Sequence, residues 1–337
     1  KHMKSKNISV LGGGSWGTVL ANLASSNQHD VTFWMRDSIV VEEVNKSKRN
    51  SKYLPELQLE GNIIATEDIS LISNSEMIIF CIPSDSFREV SKAASKYIHE
   101  SVQLVTATKG VEKDKFNLMS QVLNEHMKNN SVGILSGPNL AQEIATKQLS
   151  GTVIASKDKR LQKNVIDTLR SDFFRVYEND DPYGVEMGGA IKNIYAIACG
   201  VADGLNSGEN TVGMIMTRGL GEMSRLAVEL GANPQTFLGL SGVGDLITTC
   251  ASPLSRNHKF GKYIGEGLSA ENATEKIGQT VEGLKTLKVV KALSDERNIN
   301  MPIVDSLYKI IYKGDNLNGS IQNILGEDLI KDVEFFK

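Results

Sequence analysis

Cysteine is scarce in this chain of 337 residues, occurring only at Cys81, Cys199 and Cys250. Three thiols, odd in number and far apart in sequence, exclude a disulfide framework and offer no paired metal-ligand spacing. The five histidines, His2, His29, His99, His126 and His258, are scattered too, each without a nearby His or Cys, so no metal is expected. No apolar run approaches the roughly 20 residues of a membrane span, and no signal-peptide h-region precedes the first strand-like run, so the expectation is a reduced, cytoplasmic protein. An excess of charge is also missing. The 37 basic and 40 acidic residues give a net charge of −3, which supplies no field to draw in nucleic acid or an anionic membrane. Any anion site must be local. Internal repeats and low-complexity linkers are absent, and 40% apolar with 23% charged residues is the composition of a globular chain, whose length suggests about two domains.

What is present is organised around Asn7 to Gly17, read as Asn-Ile-Ser-Val-Leu-Gly-Gly-Gly-Ser-Trp-Gly. A short β-branched run enters Gly12, Gly14 and Gly17, and residues with helical apolar spacing follow. In such a strand-turn-helix, Gly12 makes the turn, Gly14 lets backbone approach a pyrophosphate, and Gly17 lets the helix lie close on the strand. A dinucleotide site is therefore expected here.

Further strand-like runs lie at Val31 to Met35, Met77 to Ile82, Val102 to Ala107, Val132 to Ser136 and Val153 to Ser156. Several are almost wholly apolar, as strands covered on both faces should be. Helical patterns at Ser38 to Lys46, Ser84 to Ile98, Phe116 to Met127 and Arg160 to Leu169 alternate with them, which predicts a Rossmann-like, doubly wound, mainly parallel α/β sheet. In that fold the ligand crevice lies beyond the carboxyl ends of the strands. Strand ends thus become candidates. Arg36 lies 19 positions after Gly17, with Asp37 behind it, where an acid would suit a ribose hydroxyl and an arginine a 2′-phosphate, so NAD and NADP both stay open. Ser84 is placed to cap the next helix, Lys109 ends the Thr106 to Gly110 run, and Gly137 to Ala141 forms a turn in which Asn139 is a candidate N-cap.

After about residue 180 the alternation stops. Asp181-Pro182 is a helix start, and helical patterns to Leu205, at Thr211 to Leu230, Thr280 to Ser294 and Val304 to Tyr312 predict an all-helical second domain over 183–337, after a first domain over 3–182. The first of these helices has an apolar stripe at Met187, Ile191, Ile194, Ala198 and Val201. Lys192 lies off that stripe among Gly188, Gly189, Ala196 and Cys199, either as a snorkelling surface residue or with room for a ligand. Asp245 sits in an apolar, small-residue stretch, either as a turn residue or as part of a site. Ser255 is placed to cap a helix opening with Arg256 and Asn257, a suitable seat for phosphate. Thr280 and Glu282 lie at the start of another helix, where a dipole gives Glu282 an ordinary structural role.

Together, Gly12-Gly-Gly-Ser-Trp-Gly-Thr, Thr108-Lys-Gly, Ser136-Gly-Pro, Glu186 through Lys192-Asn193, Gly242-Val-Gly-Asp245-Leu, Ser255-Arg-Asn257 and Val281-Glu-Gly283 resemble the bacterial NAD(P)-dependent glycerol-3-phosphate dehydrogenases from Val10 to about Asp315. The resemblance implies reversible reduction of dihydroxyacetone phosphate to sn-glycerol 3-phosphate by NADH or NADPH, in support of glycerophospholipid synthesis, by a homodimer. It implies cofactor contacts at Gly12, Gly14, Ser15, Trp16, Gly17, Arg36, Lys109, Ala141, Arg256, Thr280 and Glu282. Substrate contacts are implied at Lys109, Gly137, Asn139, Lys192, Asp245, Ser255, Arg256 and Asn257, with Lys192 the general acid/base and Lys109 and Asp245 assisting. The family usually has a small hydroxyl residue where this chain has Asn139, and an aromatic where it has Leu140. Two other readings are open: the same fold acting on a 3-hydroxy acid or ketopantoate, and a non-catalytic dinucleotide sensor.

Overall fold

The computed structural model describes residues 4–317, 319–325 and 332, so both outer ends of the expected domains, at Met3 and Lys337, lie outside the described residues. The chain forms two compact units. One comprises residues up to 109 together with 117–182, and the other comprises 110–116 and the residues from 183 onward.

The first unit contains the strands β1 (Asn7–Leu11), β2 (Asp30–Trp34), β3 (Arg49–Asn50), β4 (Leu54–Gln58), β5 (Asn62–Thr66), β6 (Met77–Phe80), β7 (Gln103–Thr106), β8 (Val132–Ser136), β9 (Ser150–Ala155) and β10 (Phe174–Asn179). Eight of them form one sheet in the order β10-β9-β8-β7-β6-β1-β2-β5, while β3 and β4 pair as a separate ribbon. Pairing in the large sheet is parallel throughout except between β8 and β9. The doubly wound sheet is thus the observed fold. The helices α1 (Ser15–Ser26), α2 (Ser38–Ser47), α3 (Ser84–Ser95), α4 (Met119–His126), α5 (Ala141–Ala145) and α6 (Lys159–Leu169) complete the unit.

Alternation of side chains explains why the central strands are apolar throughout. In β6, Met77 and Ile79 enter one core with Ile8, Val10 and Phe33, whereas Ile78 and Phe80 enter the other with Leu11 and Leu104. The two edge strands of this sheet, like β3 and β4 of the ribbon, are not revealed by sequence pattern. β5 alternates exposed and buried positions, and β10 carries Arg175 and Glu178, because an edge strand is only partly covered.

Two expected caps are corrected. Helix α3 begins at Ser84 with Pro83 in the cap position, so the Ser84 hydroxyl does not cap it. At α5 the cap position belongs to Leu140 and not to Asn139. Asp37 is itself a cap, accepting from the Ile39 and Val40 amides at the start of α2, and pairs with Lys52 at 2.7 Å. Its carboxyl lies below the ordinary value, chiefly through that Lys52 hydrogen bond.

The second unit contains α7 (Pro182–Gly204), α8 (Glu209–Glu229), α9 (Asp245–Ala251), α10 (Arg256–Gly265), α11 (Ala270–Ile277), α12 (Glu282–Arg297), α13 (Pro302–Tyr308) and α14 (Ser320–Leu325). Helix α7 starts at Pro182, as the Asp-Pro pair predicts. The stripe reading of α7 is too narrow, since every residue from Gly184 to Ala202 is buried. Its glycines and alanines allow other helices to approach from all sides. Among the described residues, no helix is long and apolar enough to cross a membrane.

One buried acid ties this unit together. Glu222 of α8 accepts from the Tyr195 hydroxyl at 3.2 Å and from the Ile303 amide, at the start of α13, at 2.6 Å. Burial pushes its carboxyl from 4.5 up to about 8. A carboxyl raised on folding takes up a proton, so its contribution is present below about pH 4.5 and is lost as pH rises through about 8. Thermal melts from pH 6 to pH 9 should therefore show the parent losing stability with pH more steeply than Glu222→Gln, whose amide does not titrate. Parallel curves would refute this assignment.

Candidate active site

The glycine loop between β1 and α1 has the backbone that its sequence demands. Gly12 has φ +122°, and a Cβ there would lie 2.3 Å from the Cys81 carbonyl oxygen. A Cβ on Gly17 would fall 1.9 Å from the Gly12 carbonyl oxygen. Gly14 differs, because its Cβ would meet nothing within 4 Å. It is also the cap position of α1, and no side chain caps that helix. The first amides of α1 thus have no capping side chain where the fold needs donors for a pyrophosphate, so the loop fits a dinucleotide.

Other groups of the first unit have varied roles. The Ser15 hydroxyl donates to the Tyr53 carbonyl at 3.1 Å, and the Trp16 ring lies 6.3 Å from that of Phe174. Arg36, just past β2, pairs with Glu89 at 3.1 Å in a solvent-exposed contact. Ala141 is the buried first residue of α5. The Lys109 ammonium donates to the Gly137 carbonyl at 2.8 Å, which brings together two of the expected substrate residues. The Asn139 carboxamide turns toward β9. Its Nδ2 donates to the Gly151 carbonyl at 3.1 Å, and its Oδ1 accepts from the Thr152 hydroxyl at 2.9 Å. Sequence reasoning missed Asn50, a buried residue whose Nδ2 holds the Gly13 carbonyl at 2.9 Å and the Thr18 hydroxyl at 2.8 Å. Nothing local marks a loop support that lies 37 positions from the residue it holds.

In the helical unit, Lys192 is no surface residue. Its ammonium donates to Asp245 Oδ1 and, at 2.7 Å, to the Thr249 hydroxyl, and the two charged side chains are only 7% and 2% exposed. Thr249 also donates to Asp245 Oδ1 at 3.2 Å, which closes a triangle. Thr249 escaped the sequence reading, although its place four residues after Asp245 puts both on one face of α9. Removing an ion pair from water is costly unless geometry and extra hydrogen bonds compensate, and Thr249 supplies such a bond. A buried ammonium held in this way can donate a proton to a group placed beside it.

Ser255 caps α10 by accepting from the His258 amide at 3.3 Å, as the sequence predicts. Arg256 and Asn257 occupy the first turn. Arg256 donates to Gln279 Oε1 at 3.4 Å, and Asn257 Oδ1 accepts from the Gly283 amide at 2.9 Å. Thr280 is exposed, and Glu282 opens α12 and pairs with Lys285 at 3.3 Å. Cys199 and Cys250, remote in sequence, meet here. A hydrogen bond to Cys199, together with burial, holds the Cys250 thiol well above its usual range.

Sequence comparison matches residues 7–162 to the N-terminus and residues 181–322 to the C-terminus of NAD-dependent glycerol-3-phosphate dehydrogenase. The chain belongs to this family. It is 45% identical over 330 residues to the glycerol-3-phosphate dehydrogenase [NAD(P)+] of Alcanivorax borkumensis, covering 98% of this chain and 96% of the relative. The crystal structure of glycerol-3-phosphate dehydrogenase from Coxiella burnetii, 34% identical, superposes with a TM-score of 0.89 over 96% of this chain and 99% of that one. The Plasmodium falciparum glycerol-3-phosphate dehydrogenase, 26% identical, has a TM-score of 0.89 over 97% of each chain. The protein is thus an oxidoreductase that uses NAD or NADP to interconvert dihydroxyacetone phosphate and glycerol 3-phosphate.

Proposed function

We propose that Lys192 is the general acid/base of this reaction, and the observation that carries the proposal is its buried bond to Asp245 and Thr249. The dinucleotide, when bound, supplies or accepts the hydride. Reduction of a ketone builds negative charge on the carbonyl oxygen, which an ammonium within hydrogen-bond reach stabilises and then protonates. Asp245 and Thr249 fix the Nζ position, so the proton is presented from one direction. In the oxidative direction the same nitrogen receives the hydroxyl proton. Lys109, tethered to the Gly137 carbonyl, adds a cation beside the substrate.

Ser255, Arg256 and Asn257 form the phosphate seat at the start of α10, where a guanidinium, a carboxamide and the helix dipole all favour an anion. Gly12, Gly14, Ser15, Trp16 and Gly17 hold the dinucleotide, with Arg36, Ala141, Thr280 and Glu282 as further contacts. Asn139 serves the turn that carries Gly137 more than the substrate, because both ends of its carboxamide bind β9. A homodimer, a cytoplasmic location and supply of glycerol 3-phosphate to phospholipid synthesis belong to the same proposal, and the family resemblance supports them.

Initial rates of NADH and NADPH oxidation with dihydroxyacetone phosphate, and with unphosphorylated dihydroxyacetone, test the reading. A strong preference for the phosphorylated ketone is expected, since binding energy at the phosphate positions the reacting carbon. Equal rates on the two ketones would exclude the phosphate seat. Comparison of the two cofactors would also settle whether Arg36 favours the 2′-phosphate.

A further inference from the structure

Helix α12 begins without a capping side chain of its own. Its cap position is Val281, whose side chain has no acceptor atom. The acceptor comes instead from α10, where the buried Asn257 receives the Gly283 N–H on Oδ1 at 2.9 Å. The approach is tight. A Cβ on Gly283 would lie 2.7 Å from that Oδ1 and 2.9 Å from the carbonyl oxygen of Asn193, the residue after Lys192. One glycine thus fits three helices together, the one that carries the lysine, the one that opens the phosphate seat, and the one that begins with Glu282.

We propose that Asn257 acts at both ends of its carboxamide: Oδ1 caps α12 and thereby holds Glu282 in place for the dinucleotide, and Nδ2 serves the substrate phosphate. A carboxamide has one acceptor end and one donor end, so commitment of the oxygen to Gly283 orients the nitrogen. Asn257 is then a positioning residue for the cofactor as well as a substrate contact, and it couples the two binding events. The proposal rests on the assignment of Glu282 to the dinucleotide and of Asn257 to the phosphate.

The test uses the full chain and its Asn257→Ala, Asn257→Asp and Glu282→Ala variants. Three quantities are measured: the NADH dissociation constant without substrate, the KM for dihydroxyacetone phosphate, and amide hydrogen exchange over residues 281–287. Asn257→Ala should speed exchange at the start of α12 and weaken NADH binding roughly 3- to 30-fold, the value of a lost helix cap. Asn257→Asp keeps an acceptor, so slow exchange should persist while the KM rises at least about tenfold, because a carboxylate meets the phosphate. Parent-like exchange and NADH affinity in Asn257→Ala would overturn the proposal. Should that variant fail to fold, fast exchange at Gly283 in Asn257→Asp would overturn it equally. Failure of the underlying assignment looks different: Glu282→Ala would leave NADH affinity unchanged, which overturns the coupling through Glu282 whatever the exchange at α12 shows.

Discussion

Lys192→Ala is expected to lower dihydroxyacetone-phosphate-dependent oxidation of NADH or NADPH by a factor of about 10² to 10⁴ while dinucleotide binding survives. Retention of turnover within about tenfold of the parent would refute the assignment of Lys192 as general acid/base. A complication follows from the geometry. The substitution leaves Asp245, 2% exposed, without the cation it is bonded to, and breaking a buried pair from one side costs about 3–5 kcal/mol. Loss of activity could then reflect loss of fold. The double variant Lys192→Ala, Asp245→Asn separates the two effects. A neutral carboxamide beside Thr249 has no charge left unpaired, so the thermal midpoint should return toward the parent while turnover stays lost. Recovery of both together would assign the lysine a structural role only.

The second large effect is expected in the glycine loop, where two substitutions of equal size should behave differently. Gly12→Ala places a side chain at φ +122°, outside the conformations that L-residues favour, and 2.3 Å from the Cys81 carbonyl oxygen. Left-handed backbone alone costs about 1–2 kcal/mol, and the collision adds to it. Both the thermal midpoint and dinucleotide affinity should fall, the latter by more than about tenfold. Gly14→Ala meets no protein atom within 4 Å, so the fold should be unaffected. In the proposed binding mode its methyl group meets the pyrophosphate, and dinucleotide affinity alone should drop. Calorimetric titration with NADH and NADPH, paired with melting curves, distinguishes the two variants. A Gly14→Ala protein that binds as the parent does would remove Gly14 from the pyrophosphate site.

These contrasts also show what could be read before folding. The glycine loop was legible because its constraints act within a dozen residues, through turn geometry and helix approach. The central strands were legible because burial on both faces leaves an apolar run. Strands β5 and β10 were not, since an edge strand's composition reflects the solvent on one side as much as the core on the other. At the candidate site, Ser255 could be placed as a cap from local pattern alone, whereas Lys192 could not be told from a surface lysine. Its burial depends on neighbours brought in from α9, and so does the part played by Thr249. Asn139 marks a similar limit. As a residue before a helix it reads as a cap, yet Gly151 and Thr152 offer its carboxamide two partners that only the sheet brings near. The pairing of Asn257 with Gly283 is equally non-local.

The division of each central strand between two cores bears on how this chain tolerates insertions and deletions. Removal of one residue from β6 would exchange the partners of Met77 and Ile79 with those of Ile78 and Phe80, so both cores would be mispacked at once. The same holds for β1, where the shift would also drag the glycine loop out of register with Cys81. Changes in length are therefore expected in the connections and not within the central strands.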